Sequence, residues 1–360
     1  MGSEDKISTE IPSVIRQAIR RGESFYMYRL SDTDIINYGR AGSIVPGIHE
    51  GGFVVAPFDY EYAGAETIIP MSECISEISD IAKDNMPYDI PACAYPFPSD
   101  STSREKHTEG VKAISAYHHR HGGKTVLSRV ITFDFSSSSV EDLFSALCVA
   151  YPSATVFCFS TPRSGLWLGA TPEKLLSAHD GLLSTMSLAG TRRAGENEEW
   201  DSKNLEEQQL VTDFIVEAMS PMLPEIGKRT TLKAGPVEHI CTFVTAKLNE
   251  NFQPESILKV LSPTPALCGS DRKISMRLIA EWEEHTRGYY GGFFGPFQNC
   301  GDFDFFVNLR SMRLENNRGA LFVGGGITGM SDPENEWIET ERKSSTILRM
   351  ITNISNSRKD

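Results

Sequence analysis

The chain has 360 residues, of which 40% are hydrophobic and 23% charged, and its formal net charge is −13. This length and composition are typical of a globular protein with a large core. The negative charge argues against a nucleic-acid partner, because a phosphate-binding face needs clustered Lys and Arg side chains. The sequence contains no run of about 18 apolar residues, so no membrane span is expected.

The start of the chain, MGSEDKISTE, is polar and acidic and does not read as a signal peptide. The seven cysteines form no Cys-x-x-Cys pair. Several of them lie in apolar runs such as TVFCF, where a free Cys packs as a small hydrophobic side chain. These features predict a cytoplasmic protein with structural thiols.

The first 100 residues alternate short apolar runs with Gly and Pro, a pattern that predicts strands of an antiparallel sheet. The segment YPFPSDSTS predicts a surface loop at the end of this part. A helix is predicted over residues 103–121, because apolar residues recur at helical spacing and two glycines follow. The strand KTVLSRVITFDF comes next, followed by an amphipathic helix from Val140 and the strands ATVFCFS and GLWLGAT.

The second half of the chain continues the mixture of helices and hairpins. A hairpin is predicted around the Asp-Gly pair at residues 180–181. Helices are predicted over residues 202–219 and 271–285, and the segment FDFFVNLRSMRL-ENNRG-ALFVGGG predicts a hairpin of two long strands. The final helix should begin near Ser331, just before Pro333. Long hairpins without regular βαβ alternation predict an α+β fold dominated by antiparallel sheet.

The final helix carries a stripe of charged side chains. Glu336, Glu339 and Lys343 follow one another at i, i+3 and i+7 and so share one helical face. The two carboxylates would suit Mg²⁺, which prefers oxygen ligands, although a solvated face with salt bridges explains the same spacing. In VGGGIT just upstream, Gly325 and Gly326 would let the backbone approach a ligand and offer N–H groups to an anion.

Five other side chains are suited to chemistry in a cleft. Glu207 lies beside the apolar stripe of its helix, Glu173 leaves a turn that contains Pro, and Lys124 begins a strand. Arg310 lies between apolar residues and could hold a carboxylate in bidentate fashion. His239, in PVEHICTFV, lies in a setting that is more typical of a hydrogen-bonded core histidine than of a catalyst. Taken singly, each of these residues also has a plain structural explanation.

The order of the motifs along the chain is more specific than any one of them. Over roughly residues 103–352 the chain resembles the chorismate-binding enzymes, through KTVLSR, GATPEKLL, LAGTRRAG, KxxxExxxV, SPTPALCG, GYYGGFFG, VNLRSMRL, VGGGIT and NEWIETERKSSTIL. This family includes isochorismate, salicylate, anthranilate and aminodeoxychorismate synthases. The resemblance implies the α+β chorismate-binding enzyme fold, in which large antiparallel sheets pack together with helices around them. Residues 1–100 would be the sheet-rich N-terminal part of the same domain, and residues 101–360 the catalytic region.

The resemblance also implies the roles of particular residues. Mg²⁺ would be held by Glu207 and Glu339, with Glu336 in support. A second set of residues would bind the substrate, chorismate: Gly190, Thr191, His239, Ala266, Arg310, Gly325, Gly326 and Lys343. Local cations of this kind would let an acidic protein bind a dianion.

Lys124 bears on which nucleophile attacks the ring. Amine-transferring members of the family have Gln at this position and take ammonia from a partner, whereas water-using members have Lys, as here. The resemblance then implies that Lys124 takes a proton from water as it adds at C2, and that Glu173 protonates the departing C4 hydroxyl. We therefore expect an isomerase closest to the isochorismate synthases, with no glutaminase subunit, serving menaquinone or siderophore synthesis.

Three alternatives stay open from the sequence. Salicylate synthases go on to eliminate pyruvate, but they tend to have Thr where this chain has Ala266. A non-catalytic relative would bind chorismate without turnover, although the chain keeps all the expected catalytic and metal-binding side chains. A hydrolase of the glycosidase type would pair Glu173 with another acid and need no metal.

Gln208 stands where many relatives have His, a departure that could alter the packing under the metal site.

Overall fold

The computed structural model describes most of the chain, namely residues 11–71, 94–136, 139–195, 199–234, 237–249, 252–315 and 317–356. The predictions for the first ten residues, and for Cys74 and Cys93, lie outside this part. Among the described residues, no helix is long and apolar enough to cross a membrane.

Strands and helices alternate irregularly along the chain. The strands are β1 (Phe25–Arg29), β2 (Ile36–Pro46), β3 (Gly52–Ala56), β4 (Glu66–Pro70), β5 (Lys124–Asp134), β6 (Thr155–Thr161), β7 (Gly165–Thr171), β8 (Lys174–His179), β9 (Leu182–Arg193), β10 (Glu225–Ile226), β11 (Thr230–Ala234), β12 (Val237–Lys247), β13 (Phe293–Phe297), β14 (Phe303–Val307), β15 (Ser311–Glu315) and β16 (Arg318–Thr328). The helices are α1 (Ser13–Arg20), α2 (Tyr60–Ala63), α3 (Arg104–His121), α4 (Val140–Ala150), α5 (Ser202–Met219), α6 (Pro254–Leu261), α7 (Arg272–Trp282) and α8 (Pro333–Asn356).

Within the described residues, the strands pair only in antiparallel fashion and follow one hydrogen-bonded path, β10-β12-β9-β8-β14-β13-β3-β4-β2-β1-β6-β7-β15-β16-β5, with β11 beside β12. The long strand β2 divides this path into two sheets. Its residues 36–40 pair with β1 and its residues 41–46 pair with β4. The first sheet runs from β2 to β5, and the second sheet runs from β2 to β10.

An aromatic core joins the two sheets. Phe157 on β6 of the first sheet packs on Phe294 on β13 of the second, with 3.9 Å between ring centroids. Phe53 on β3 stacks on Tyr26 on β1 at 4.6 Å. Buried aromatic side chains of this size contribute strongly to the hydrophobic stabilisation of a core. The α+β fold with antiparallel sheets packed together is thus confirmed.

Helices cover the outer surfaces of this arrangement. A separate apolar cluster includes side chains of α1, α4 and α8, among them Ile15, Phe144 and Ile347, together with strand residues of the first sheet. Four of the five described cysteines, Cys148, Cys158, Cys241 and Cys268, are buried free thiols, as the sequence predicts.

Most predicted helices match the structure closely. The Ser103 side chain accepts a hydrogen bond from the Lys106 N–H, which explains the start of α3. The helix predicted over residues 271–285 is shorter and ends at Trp282. It ends there because the backbone of Glu283 is extended, and the buried Glu283 carboxylate accepts hydrogen bonds from Arg287.

The predicted hairpin of two long strands is wrong in its first half. β14 pairs with β13 and β8 in the second sheet, whereas β15 pairs with β16 and β7 in the first. The chain passes between the sheets at residues 308–310, where Arg310 has a φ of 48°, outside the extended region. The pattern of apolar residues continues through this break because both strands are buried. Arg310 consequently lies at a turn rather than inside a strand.

Candidate functional site

A cavity of about 350 Å³ lies between β5, β16, α5 and α8 and the turn that joins β7 to β8. Every predicted site residue whose side chain is described lines this cavity: Lys124, Glu173, Gly190, Glu207, His239, Ala266, Arg310, Gly325, Gly326, Glu336, Glu339 and Lys343. The Thr191 side chain lies outside the described part of the chain. Residues that are distant in sequence are thus brought together.

Lys124 and Glu207 form an ion pair at this cavity. Lys124 is the first residue of β5, and Glu207 lies in the second turn of α5. The Lys124 Nζ donates a hydrogen bond to the Glu207 Oε1 at 2.7 Å. The Lys124 side chain is 5% exposed and the Glu207 side chain 32%. The pair joins a strand to a helix across 83 positions of sequence.

Glu173 occupies the short turn between β7 and β8, as predicted. Its N–H lies 3.2 Å from the Thr171 Oγ1, and its carbonyl accepts a hydrogen bond from the Val307 N–H at 3.0 Å. Burial raises the pKa of Glu173 to about 7, and the charges of Lys124 and Arg310 oppose that rise. A large fraction of this carboxyl group is therefore protonated at neutral pH, which is the state that a proton donor needs.

Arg310 and His239 contact each other in the cavity wall. The His239 Nδ1 lies 2.9 Å from the Gly190 carbonyl oxygen, and the Arg310 Nη2 lies 3.4 Å from the His239 Nε2. If Nδ1 carries the proton, it donates to Gly190 and Nε2 accepts from Arg310. Burial and the Arg310 charge lower the pKa of His239 to about 4. His239 is thus a neutral ring that orients the Arg310 guanidinium.

The glycines of β16 leave room for three carboxylates. A Cβ atom on Gly325 would lie 3.1 Å from the Glu336 Oε2 and 3.9 Å from the Glu339 Oε1. A Cβ atom on Gly326 would lie 3.7 Å from the Glu207 Oε1. The glycine segment, residues 324–326 of β16, pairs with β5 on one side, whereas the pairing of β16 with β15 ends before this segment. Its other edge therefore faces the cavity.

Lys343 neutralises part of this acidic wall. Its Nζ lies 2.7 Å from the Glu339 Oε1 and donates a hydrogen bond to the Gly324 carbonyl oxygen at 2.9 Å. Both side chains of the ion pair are well exposed, at 38% and 47%. Because solvent screens such a pair, its contribution to stability is small.

The three carboxylates have the chemistry that Mg²⁺ requires. Among the described residues, no three His, Cys, Asp or Glu side chains converge as a complete protein ligand set. Mg²⁺ is nevertheless usually bound through one or two carboxylates, with waters and substrate oxygens as the other ligands. Glu207 and Glu339, each in contact with a lysine, fit such a site.

Two lining residues were not found from the sequence, and the role of a third residue, Gln208, is clear only from the structure. Asn204 lines the cavity one helical turn before Glu207, so helical spacing could have indicated it, and Tyr290 lies in GYYGG. Gln208 is fully buried beside Glu207. Its Nε2 contacts three hydroxyl groups at 2.6–3.0 Å, those of Ser187, Thr212 and Thr242. Gln208 therefore ties α5 to β9 and β12.

Comparisons with known proteins agree with this geometry. The model of the family described as chorismate binding enzyme matches residues 68–352. Isochorismate synthase MenF from Haemophilus influenzae is 30% identical over 208 residues, which are 54% of this chain and 48% of that protein. Anthranilate synthase component 1 from Bacillus pumilus is 30% identical over 243 residues, 63% of this chain and 47% of that protein. The chain thus spans about half the length of these curated relatives.

A solved structure shows the same fold. MenF, the menaquinone-specific isochorismate synthase from Escherichia coli, matches with a TM-score of 0.77 at 18% identity, over 97% of this chain and 92% of that chain. The match to the family model covers well over half of the sequence. This chain belongs to the chorismate-binding enzyme family.

Proposed function

We propose that this protein is an isochorismate synthase, which converts chorismate to isochorismate. The main support is the position of Lys124 and Glu173 in one cavity, together with the burial that raises the pKa of Glu173 to about 7. An amine group and a carboxyl group whose pKa lies near neutral pH give the site one candidate base and one candidate acid. Ala266, the residue that separates this chain from salicylate synthases in the resemblance, lines the same cavity.

The cavity can bind a dianion although the protein is acidic overall. The Arg310 guanidinium is planar and can hold a carboxylate through two parallel hydrogen bonds. Its contact with His239 limits its orientation. Lys343 and the exposed edge of the glycine segment offer further hydrogen-bond donors near the second carboxylate. Chorismate is therefore held by local positive charge.

The reaction moves one hydroxyl group by two proton transfers. With Lys124 in its neutral amine form, an O–H bond of water breaks, the proton passes to the lone pair of the Lys124 Nζ, and the oxygen bonds to C2. The ring double bonds shift, the C4–O bond breaks, and Glu173 gives its proton to the departing oxygen, which leaves as water. One water enters and one leaves, so the product is an isomer. Lys124 must lose its ammonium proton to solvent before it can act as a base, and after product release Lys124 returns a proton to solvent while Glu173 takes one up.

Glu207 and Glu339 would hold Mg²⁺, with Glu336 beside them. When bound, Mg²⁺ supplies positive charge for a substrate carboxylate. Water is the nucleophile in this proposal, so a glutaminase subunit has no role. The product would serve menaquinone or siderophore synthesis, the two pathways that begin with isochorismate.

Product analysis tests the proposal. Purified protein is incubated with chorismate and Mg²⁺, and the products are separated and identified, with Glu173→Gln protein as the control. Isochorismate is the expected product. Salicylate with pyruvate would instead identify a salicylate synthase, and unchanged chorismate would identify a non-catalytic relative. Full activity in the presence of a chelator would contradict the metal requirement.

A further inference from the structure

Arg129 is a buried cation on the strand that begins with Lys124. It is 4% exposed, and burial lowers its pKa to about 10, so it stays charged at neutral pH. Among the described residues, no carboxylate oxygen lies within 4.0 Å of its guanidinium nitrogens. A charge in the interior is costly unless other polar or aromatic groups stabilise it. The contacts of Arg129 must therefore offset the cost of burying its charge.

Those contacts are made with one helix. The Arg129 Nε donates a hydrogen bond to the Thr340 Oγ1 at 2.7 Å, and the Thr340 hydroxyl donates to the Trp337 carbonyl oxygen at 2.7 Å. The Arg129 guanidinium carbon lies 3.9 Å from the centroid of a Trp337 ring. A cation over an indole face is stabilised by the ring electrons, and a planar guanidinium suits this stacking better than an ammonium.

The two residues that Arg129 contacts have a particular place in α8. Trp337 directly follows Glu336, and Thr340 directly follows Glu339. Successive residues of a helix point about 100° apart around its axis. The rotation of α8 that places Trp337 and Thr340 on Arg129 therefore also sets the direction in which Glu336 and Glu339 point. Both glutamates line the cavity beside Gly325.

Strand pairing fixes the position of Arg129 relative to the glycine segment. Arg129 pairs with Val323 on β16, directly before the glycine segment that faces the three carboxylates. We propose that Arg129 is a positioning residue, which holds α8 in the rotation that directs Glu336 and Glu339 to the metal. Arg129 does so through Trp337 and Thr340 and touches neither substrate nor metal. This role rests on the proposed function, because it assigns a support to the same magnesium site.

The test compares two variants with a matched control. Arg129→Lys keeps the charge but loses the planar group, and Thr340→Val keeps the shape but loses the hydroxyl. Arg29→Lys is the control, because Arg29 is equally buried, donates to five backbone carbonyls and does not line the cavity. For each folded protein, Mg²⁺ alone is titrated by calorimetry, and kcat and KM for chorismate are measured against Mg²⁺ concentration.

We expect Arg129→Lys to raise the Mg²⁺ concentration for half-saturation by roughly 10–100-fold, the usual effect of losing a group that supports a metal ligand. Thr340→Val should raise it by about 10-fold. Arg29→Lys should lower the unfolding temperature but leave Mg²⁺ saturation unchanged. Native Mg²⁺ saturation in folded Arg129→Lys and Thr340→Val would overturn the role of Arg129 but leave the proposed magnesium site standing. A native protein that neither binds nor responds to Mg²⁺ would overturn the metal site and this proposal together.

Discussion

Two carboxyl groups line the same cavity in contrasting surroundings. Glu207 accepts a hydrogen bond from the Lys124 ammonium at 2.7 Å, and its side chain is 32% exposed. Glu173 is 7% exposed, and among the described residues no Lys, Arg or His nitrogen lies within 4.0 Å of its carboxylate. Burial raises the pKa of Glu173 to about 7. The fold thus gives one Glu a cationic partner and raises the pKa of another by burial.

The difference shows how one side-chain type can serve two functions. A direct cation contact favours the charged form, whereas burial without such a contact favours the neutral form. Two titratable groups whose surroundings separate their proton states are the usual mark of an acid and an anion with distinct roles. Here Glu207 is suited to a metal and Glu173 to proton donation. Substitutions at Glu207 and at Glu173 should therefore have different effects.

The largest effect should come from replacing a metal-binding glutamate. Glu207→Gln and Glu339→Gln should abolish turnover at Mg²⁺ concentrations that saturate the native protein, because each removes a negatively charged oxygen ligand. Both variants should remain folded, as checked by circular dichroism. Product formation is measured against Mg²⁺ concentration. Near-native rates at low Mg²⁺ in both variants would show that these glutamates are not the ligands.

Lys124→Gln should come next, with a loss of about 10⁴-fold in kcat, the upper end of the range for a catalytic base. Lys124→Arg should not restore activity, because a guanidinium stays protonated and cannot accept a proton. It can still contact Glu207, so it serves as the control for the ion pair. Substantial isochorismate formation by Lys124→Arg would show that Lys124 supplies only positive charge and that another group is the base.

Glu173→Gln should cause a smaller loss, about 10²–10³-fold in kcat with KM nearly unchanged, because the amide still donates a hydrogen bond to the leaving oxygen but cannot transfer a proton. The pH profile gives a second readout. Glu173 donates only when protonated, so the native kcat/KM should fall as pH rises through about 7. Glu173→Gln should lack this fall. An effect confined to KM would assign Glu173 to substrate binding.

Local sequence signals were enough to predict most of the helices and hairpins. The helix predicted over residues 202–219 matches α5, where the Asp201 side chain caps the first turn. The Asp-Gly pair at residues 180–181 does join β8 to β9. Both signals act within a few residues, so the rest of the fold hardly alters them. The N-terminal helix α1 was missed, although its buried residues Ile15, Ala18 and Ile19 recur at helical spacing.

Features that depend on distant contacts could not be predicted. The break before Arg310 lies inside a continuous apolar pattern, and only the pairing of β14 and β15 in different sheets reveals it. The order of family motifs led to the residues of the cavity but not to their partners. The contact of Lys124 with Glu207 joins residues 83 positions apart, and that of His239 with Arg310 joins residues 71 apart. Such pairs exist only once the sheets have packed.

Direct titration of Glu173 tests the central contrast most closely. The carboxyl carbons of glutamate are labelled with ¹³C, and their chemical shifts are followed against pH in native protein without Mg²⁺ or substrate. The signal that disappears in Glu173→Gln belongs to this residue. We expect this signal to titrate near pH 7, well above the ordinary value for Glu. A midpoint near 4.5 would show that Glu173 is ionised at neutral pH and would contradict its role as the acid.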